Sequence, residues 1–355
     1  MKPWCTEPFI TLENKVYGPW GLCCRSKPLP YGPEVSPLEH FNGETMQRIR
    51  KDMLEHNITD EIKHLCATCI HHEERGITSR RMQRLNVPLQ PEGYDFYSIE
   101  VKFFGNLCNL KCKMCSGMYS SSIAAEEKKL GTWEGPTVYN GFERTDKPKF
   151  YSDMEEILPH TKTIKFTGGE PTMNKGIVDF IKWIINKDYA KNLILKITTN
   201  GTKINKDILD AGLHFKAFDV AISVDGTWEI DEYQRPGTIF DDVLKNIKIY
   251  EQYANVWIAS VITPLNIGNV PDLVAFANAF KLGIDLSSIA ANPRHMRVEV
   301  LPISYRKYLL SKYNYPKEIK AALKIKHWDQ EGWNKLLQLN PDIFDVIPEL
   351  KGFTS

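Results

Sequence analysis

Within eight residues the chain places three thiols, Cys108, Cys112 and Cys115, in the stretch GNLCNLKCKMCSG (105–117). CxxxCxxC spacing lets one loop wrap a compact metal centre. Tetrahedral zinc asks for four ligands, yet the next thiol upstream is Cys69 and the nearest downstream imidazole is His160. A cubane [4Fe–4S] cluster normally takes four thiolates too. Held by three, it leaves one iron open to a substrate or cofactor, as catalytic zinc sites keep an open position. A second set, Cys5, Cys23, Cys24, Cys66 and Cys69, lies wholly before this loop, and no cysteine follows Cys115. Cysteines used merely as small core residues would scatter. A CxxC with two distant partners suits an iron–sulfur centre or a structural zinc, for which His71 and His72 are further ligands; ordinary buried cysteines are the third reading.

These groups need elements to position them. From about residue 97, short apolar runs alternate with amphipathic stretches: YSIEVKFF (97–104), TIKFT (163–167), LILKITT (193–199), AFDVAISV (217–224), VWIASVIT (256–263) and IDLSSIA (284–290). Between them lie helical patterns over 174–188, 240–253 and 270–283. Strands alternating with such helices predict βαβ units and a parallel sheet. Six strands fall short of the eight of a closed barrel, so the fold class expected is α/β, a partial (β/α)6 barrel. The first 90 or so residues read as irregular apart from a helix over 43–57, NVPLQPEGYD (86–95) as a linker, 131–150 as an inserted loop, and the tail after 301 as helical, with Trp328 and Trp333 on its apolar face. The division expected is 1–92, 93–300 and 301–355. Parallel α/β sheets gather ligands at the carboxyl ends of their strands. Here the runs end in GNLC, GGEP, TNGT and SVDGT.

Taken singly, Gly-Gly, Asn-Gly and Asp-Gly mark turns. Together with the thiols they carry more. CxxxCxΦC, with Met114 as Φ, resembles the signature of the radical S-adenosylmethionine (SAM) enzymes. FTGGEP (166–171), TTNGT (198–202), ISVDGT (222–227) and YQRPGTIFDDVLKNI (233–247) follow in that family's order. The resemblance spans roughly residues 97–300. It implies a [4Fe–4S] cluster on Cys108, Cys112 and Cys115, SAM chelating the open iron, and a 5′-deoxyadenosyl radical that abstracts a substrate hydrogen. It further implies Met114 beside the adenine, and Gly168 and Gly169 leaving edge carbonyls for the SAM ammonium. Glu170 would assist there or hold the strand end. Arg235 would meet the SAM carboxylate, Ser223 and Asp225 the ribose hydroxyls or methionyl end, and Asn200 the ribose or nearby backbone. A flavodoxin- or ferredoxin-type donor would supply the electron.

The N-terminal thiols resemble SPASM and Twitch modules, which carry auxiliary clusters. Cys5, Cys23, Cys66 and Cys69 would hold a second [4Fe–4S] cluster, Cys23 rather than Cys24 because neighbouring thiols rarely both point inward. Such modules usually follow the barrel; this segment precedes it. They imply oxidative modification of a peptide or protein, the alternative being a small molecule such as a nucleoside, pterin or amino acid. A reading from a different class, a non-catalytic zinc-binding adaptor, leaves GGEP without a role. No catalytic acid, base or radical-quenching residue is assignable, core packing accounting for Tyr97, Tyr119 and Tyr233.

Composition bounds the rest. A 42% hydrophobic, 11% aromatic chain of 355 residues can bury a large core. A formal charge of +1 gives no sign of a nucleic-acid partner. The basic run over 306–326 reads as the solvated face of helices. No run is apolar enough for a membrane span and no secretory signal is legible, so the expectation is a cytoplasmic protein with reduced or metal-bound cysteines.

Overall fold

The computed structural model describes residues 2–87, 89, 96 and 98–353. Eight strands form one sheet: β1 (Thr11–Asn14), β2 (Trp20–Gly21), β3 (Ser98–Val101), β4 (Thr163–Phe166), β5 (Ile194–Thr199), β6 (Ala217–Ser223), β7 (Asn255–Ile262) and β8 (Gly283–Ile289). Their order is β2-β1-β3-β4-β5-β6-β7-β8. Every neighbouring pair from β1 onward is parallel; only β2 runs antiparallel, against β1. The six strands read from sequence are β3–β8.

Two faces follow from the period-2 alternation. Ile164, Phe166, Leu195, Ile197, Val220, Ile222 and Ile258 join one buried core with Phe180, Ile181 and Ile184 of the helix Lys175–Asn186. The other face carries Glu13, Glu100, Lys165, Lys196 and Asp219, which lie side by side in a single register row from β1 to β6. Such a row in a sheet flat on both sides would be ruinous. The sheet is curled instead. Laid flat, β1 and β8 would stand roughly 29 Å apart, six strand spacings. Yet Cys24, whose sulfur lies within 4.8 Å of the Glu13 carboxylate on β1, immediately precedes Arg25, whose Nη2 donates to Ser288 Oγ of β8 at 2.9 Å. Arg75 and His71 pair with Glu299, just past β8, at 3.4 and 3.5 Å. The N-terminal segment thus lines the gap between the two edges, and the charged row faces inward. β8 and β1 do not hydrogen-bond, so the barrel is partial.

The N-terminal segment is therefore not irregular. It supplies β1 and β2 and the helices Pro37–Asn42, Glu44–Leu54, Asp60–Leu65, Ala67–Glu74 and Arg80–Arg84. Four-residue TLEN is too short for periodicity to mark it as a strand. The linker expected over 86–95, with its boundary at 92/93, lies mostly outside the described residues. The expected inserted loop ends early, because Asp146 accepts from Lys149 N and caps a helix, Lys147–Ile157, with proline in its first turn.

The tail is helical as expected, with Trp333 2% exposed in a second core shared with Val298, Val300 and Leu309. Arg306 departs from the solvated reading. It is 1% exposed and donates to the carbonyls of Leu301 (3.0 Å), His327 (2.7 Å) and Ile325. Arg306→Ala leaves those carbonyls without donors, and its unfolding free energy should fall by about 2–4 kcal/mol. Thermal or urea unfolding measures this; an unchanged midpoint would show the contacts to be dispensable.

Candidate iron–sulfur and cofactor site

The thiol loop leaves the carboxyl end of β3 and is fixed along its whole length. Asn106 Nδ2 donates to the Gly117 and Thr137 carbonyls, its Oδ1 accepts from Tyr139 N, and its own carbonyl accepts from Ser121 N. Cys108 N donates to Ser121 Oγ (3.1 Å), and the Cys108 carbonyl accepts from the Ser121 and Ser122 hydroxyls. Lys111 N and Lys113 N donate to the Pro236 and Gln234 carbonyls. This backbone pairing brings the YQRPG segment, and with it Arg235, against the cysteines.

GGE explains itself in the same terms. Gly169 has φ +50°, and a Cβ there would lie 2.6 Å from the Leu107 carbonyl oxygen, so only glycine lets β4's end touch the cysteine loop. Glu170 N seals the contact by donating to that oxygen at 2.7 Å. The Glu170 carboxylate is 1% exposed. Its Oε1 accepts from Thr172 N, Thr172 Oγ1 and Thr199 Oγ1, and its Oε2 from Asn200 N at 2.7 Å. Of the two roles read for Glu170, the geometry gives it the second: it fastens the ends of β4 and β5 together. Asn200 in turn lies beside the loop, Nδ2 3.9 Å from Cys108 Sγ and 3.0 Å from Asn109 Oδ1.

At β6's end the acceptors of Asp225 are largely taken up within the chain. Asp225 is buried and heavily engaged: Oδ2 accepts from Arg235 Nη1 at 2.6 Å and Oδ1 from Val261 N at 2.6 Å and Ser260 Oγ at 3.4 Å. A carboxylate so occupied joins β6 to β7. Arg235 therefore has one nitrogen committed to Asp225, while its buried Nε has no partner. Burial opposes its charge, but Cys112, Asp225 and Asp231 hold its pKa above the usual value. Ser223 is half-buried at the strand end, and Met114 packs against the second core. Lys113 stacks its ammonium 3.9 Å from the Tyr233 ring and donates to Asn340 Oδ1, so the C-terminal extension props the loop. Spacing gave no hint of that contact. Tyr119 is 40% exposed, and Tyr97 lies outside the described residues.

All three loop thiols are raised in pKa by burial, Cys112 to about 12 and Cys115 to about 11, and the Arg235 guanidinium opposes the rise at each. A single zinc ion with Zn–S near 2.3 Å would draw its sulfurs to roughly 3.8 Å from one another. Among the described residues, the group whose donor atoms converge within 4.8 Å is Glu13, Cys24 and Glu100. The loop thiols do not converge to that extent, and Arg235 offers a buried cation whose Nε has no hydrogen-bond partner. The residues fit a cluster with an anionic neighbour.

The second thiol set converges elsewhere. Cys5, Cys23, Cys66 and Cys69 line one pocket with Arg25 and Arg81. Burial raises all four thiols, Cys66 to about 12. Two guanidiniums would offset thiolate charge there. Cys24 is turned away, toward Glu13 and Glu100. Neither His71 nor His72 lines the pocket: His71 Nε2 faces Glu299, and burial lowers His72 to about 4.

Residues 103–277 match the family model described as Radical SAM superfamily. This part of the chain is a radical SAM domain. The family's members are enzymes, and it implies SAM and a [4Fe–4S] cluster as cofactors. Curated relatives include an uncharacterised protein of Methanocaldococcus jannaschii, 34% identical over 185 residues (49% of this chain, 56% of that one). Mycofactocin maturase MftC of Mycobacterium ulcerans is 24% identical over 190 residues (53% and 46%). The GTP 3′,8-cyclase of Haemophilus influenzae is 29% identical over 144 residues (39% and 37%). The chain spans about half the length of the curated relatives it matches. Among solved structures, anSMEcpe with bound AdoMet and the Kp18Cys peptide aligns at TM-score 0.44 and 20% identity, over 70% of this chain and 59% of that one. Streptococcus suis SuiB bound to SAM aligns at TM-score 0.37 and 14% identity, over 87% and 60%. No described helix is long and apolar enough to cross a membrane.

Two outcomes follow from the radical SAM domain's geometry. Gly169→Ala should displace the cysteine loop and cut iron uptake there, whereas Gly76→Ala, also at positive φ (+70°) but with nothing within 4 Å, should cost only about 1 kcal/mol. Iron analysis of both variants checks this. Burial, and secondarily Asp225, raises the Asp231 carboxyl from 3.8 to about 7 despite nearby Arg235. A raised acid contributes stability that is full below pH 4 and lost as pH rises to about 7. Asp231→Asn should therefore flatten the fall in unfolding free energy between pH 4 and 7; a wild-type slope in the variant would refute it.

Proposed function

We propose that the chain is a radical SAM enzyme whose Cys108, Cys112 and Cys115 hold a [4Fe–4S] cluster with one iron open to SAM. A cluster held by these three thiols would supply the electron for reductive cleavage of SAM, the chemistry that begins hydrogen abstraction from a substrate. The observation that carries this reading is the fastening of a three-thiol loop onto Gly169 and Glu170 at the end of β4. The chain's own residues then divide the work. Gly168 and Gly169 expose backbone at the strand edge for an ammonium group. Arg235, held by Asp225, keeps its buried Nε unpartnered and can pair with a carboxylate in planar geometry. Asn200 sits beside Cys108 within reach of the cofactor.

The N-terminal pocket of Cys5, Cys23, Cys66 and Cys69 is proposed as the seat of a second, fully ligated [4Fe–4S] cluster, lying in the wall between β1 and β8. With no open position it would pass electrons rather than bind substrate. That favours a net oxidation, and with it oxidative modification of a peptide or protein. The charged inner face favours a second reading, a small polar molecule.

Anaerobic reconstitution followed by dithionite and SAM should yield 5′-deoxyadenosine. Cys112→Ala should abolish it, while Cys66→Ala should retain it, with loss of part of the bound iron. No nucleoside from the wild-type protein, or an unaffected Cys112→Ala, would refute the assignment.

A further inference from the structure

The inner face carries a feature that cofactor chemistry does not use. Lys165 on β4 and Lys196 on β5 are direct register partners in the middle of the sheet. Like charges placed opposite each other on neighbouring strands are destabilising, and the carboxylates that flank the two lysines, Glu100 and Asp219, leave the Lys165–Lys196 juxtaposition itself unrelieved. Each is paired with a carboxylate on its outer side only, Lys165 with Glu100 and Lys196 with Asp219. Lys15 and Lys102 are buried, 9% and 13% exposed, and both bind Glu13. Lys165 and Lys196 keep 31% and 35% of their side-chain surface open. Lys165 reaches Glu100 only at 3.7 Å, outside hydrogen-bond range, and Lys196 pairs with Asp219 at 3.2 Å. Trp257, which is in register with Ala221 on this face, stands with its ring 5.8 Å from Lys196 Nζ.

We propose that Lys165 and Lys196 bind an anionic group of the substrate, a carboxylate or a phosphate, on the inner face of the sheet. This rests on the radical SAM reading for the identity of the cavity. Lys165 precedes Gly168 by three residues and Lys196 precedes Asn200 by four. At about 3.3 Å per residue the anchor lies roughly 10–13 Å below the cofactor end. A substrate is thereby held by its anion while its far end faces the cysteine loop, and Trp257 offers a flat wall for the body between them.

The test is a thermal titration of the reconstituted full chain with sodium phosphate and, separately, sodium acetate, each against sodium chloride at matched ionic strength. One or both should give a saturable rise in melting temperature of about 2–5 °C. A response to phosphate alone points to a nucleotide-like group, and one to acetate alone to a carboxylate. The Lys165→Gln/Lys196→Gln chain should lose the response. Lys165→Arg/Lys196→Arg should keep it, as should Lys206→Gln on the outer surface. Failure of both anions to exceed chloride in the wild-type protein, or an undiminished response in the double glutamine variant, overturns the proposal. 5′-deoxyadenosine formation is scored in parallel on the same samples, so a failed anchor with intact SAM cleavage is distinct from failure of the radical SAM assignment.

Discussion

Everything at the site depends on one close backbone contact, β4's Gly169 against the Leu107 carbonyl of the cysteine loop. A side chain at position 169 would occupy the same space as that oxygen. Once the contact forms, Glu170 is committed to both neighbours: its amide meets the loop and its carboxylate takes donors from Thr172, Thr199 and Asn200. It converts three separate strand ends into one rigid rim. The thiols are positioned by that rim more than by their own loop.

Arg235 is the electrostatic counterpart. Three thiolates around a metal centre would be costly to bury without a cation, and Arg235 is brought to them by the pairing of Lys111 and Lys113 with residues 234–236. Asp225 keeps the guanidinium from turning away. The N-terminal segment repeats the logic in a different setting, with Arg25 and Arg81 beside four thiols. Because Arg25 also bonds Ser288, the same side chain ties that pocket to the far edge of the sheet.

The parallel strands were legible because β3–β8 are largely apolar runs of ordinary length, and those of β3–β6 end in glycine-containing turns. The observed bounds of β4–β8 differ from the expected ones by at most one residue at either end. The loop thiols and GGE were legible because their spacing is local. What escaped was non-local. Nothing in TLEN marks it as a strand until β3 is beside it, and nothing marks Arg306 as buried until three carbonyls are aimed at it. Asp225 shows the same limit from the other side: a polar residue at a strand end reads as a ligand, and only the structure shows that it also binds Arg235 and Val261. Sequence order shows which residues reach the rim. Only the packed structure shows which of them still have free atoms there.

The central claim is an iron at the cysteine loop that lacks a protein ligand and accepts SAM. Electron paramagnetic resonance of the dithionite-reduced, reconstituted protein tests it most directly, recorded with and without SAM. The account predicts that a cluster signal shifts on adding SAM, and that this shift disappears in Cys108→Ala but survives in Cys66→Ala. A wild-type spectrum indifferent to SAM, or a loop that binds zinc in place of iron, would contradict it.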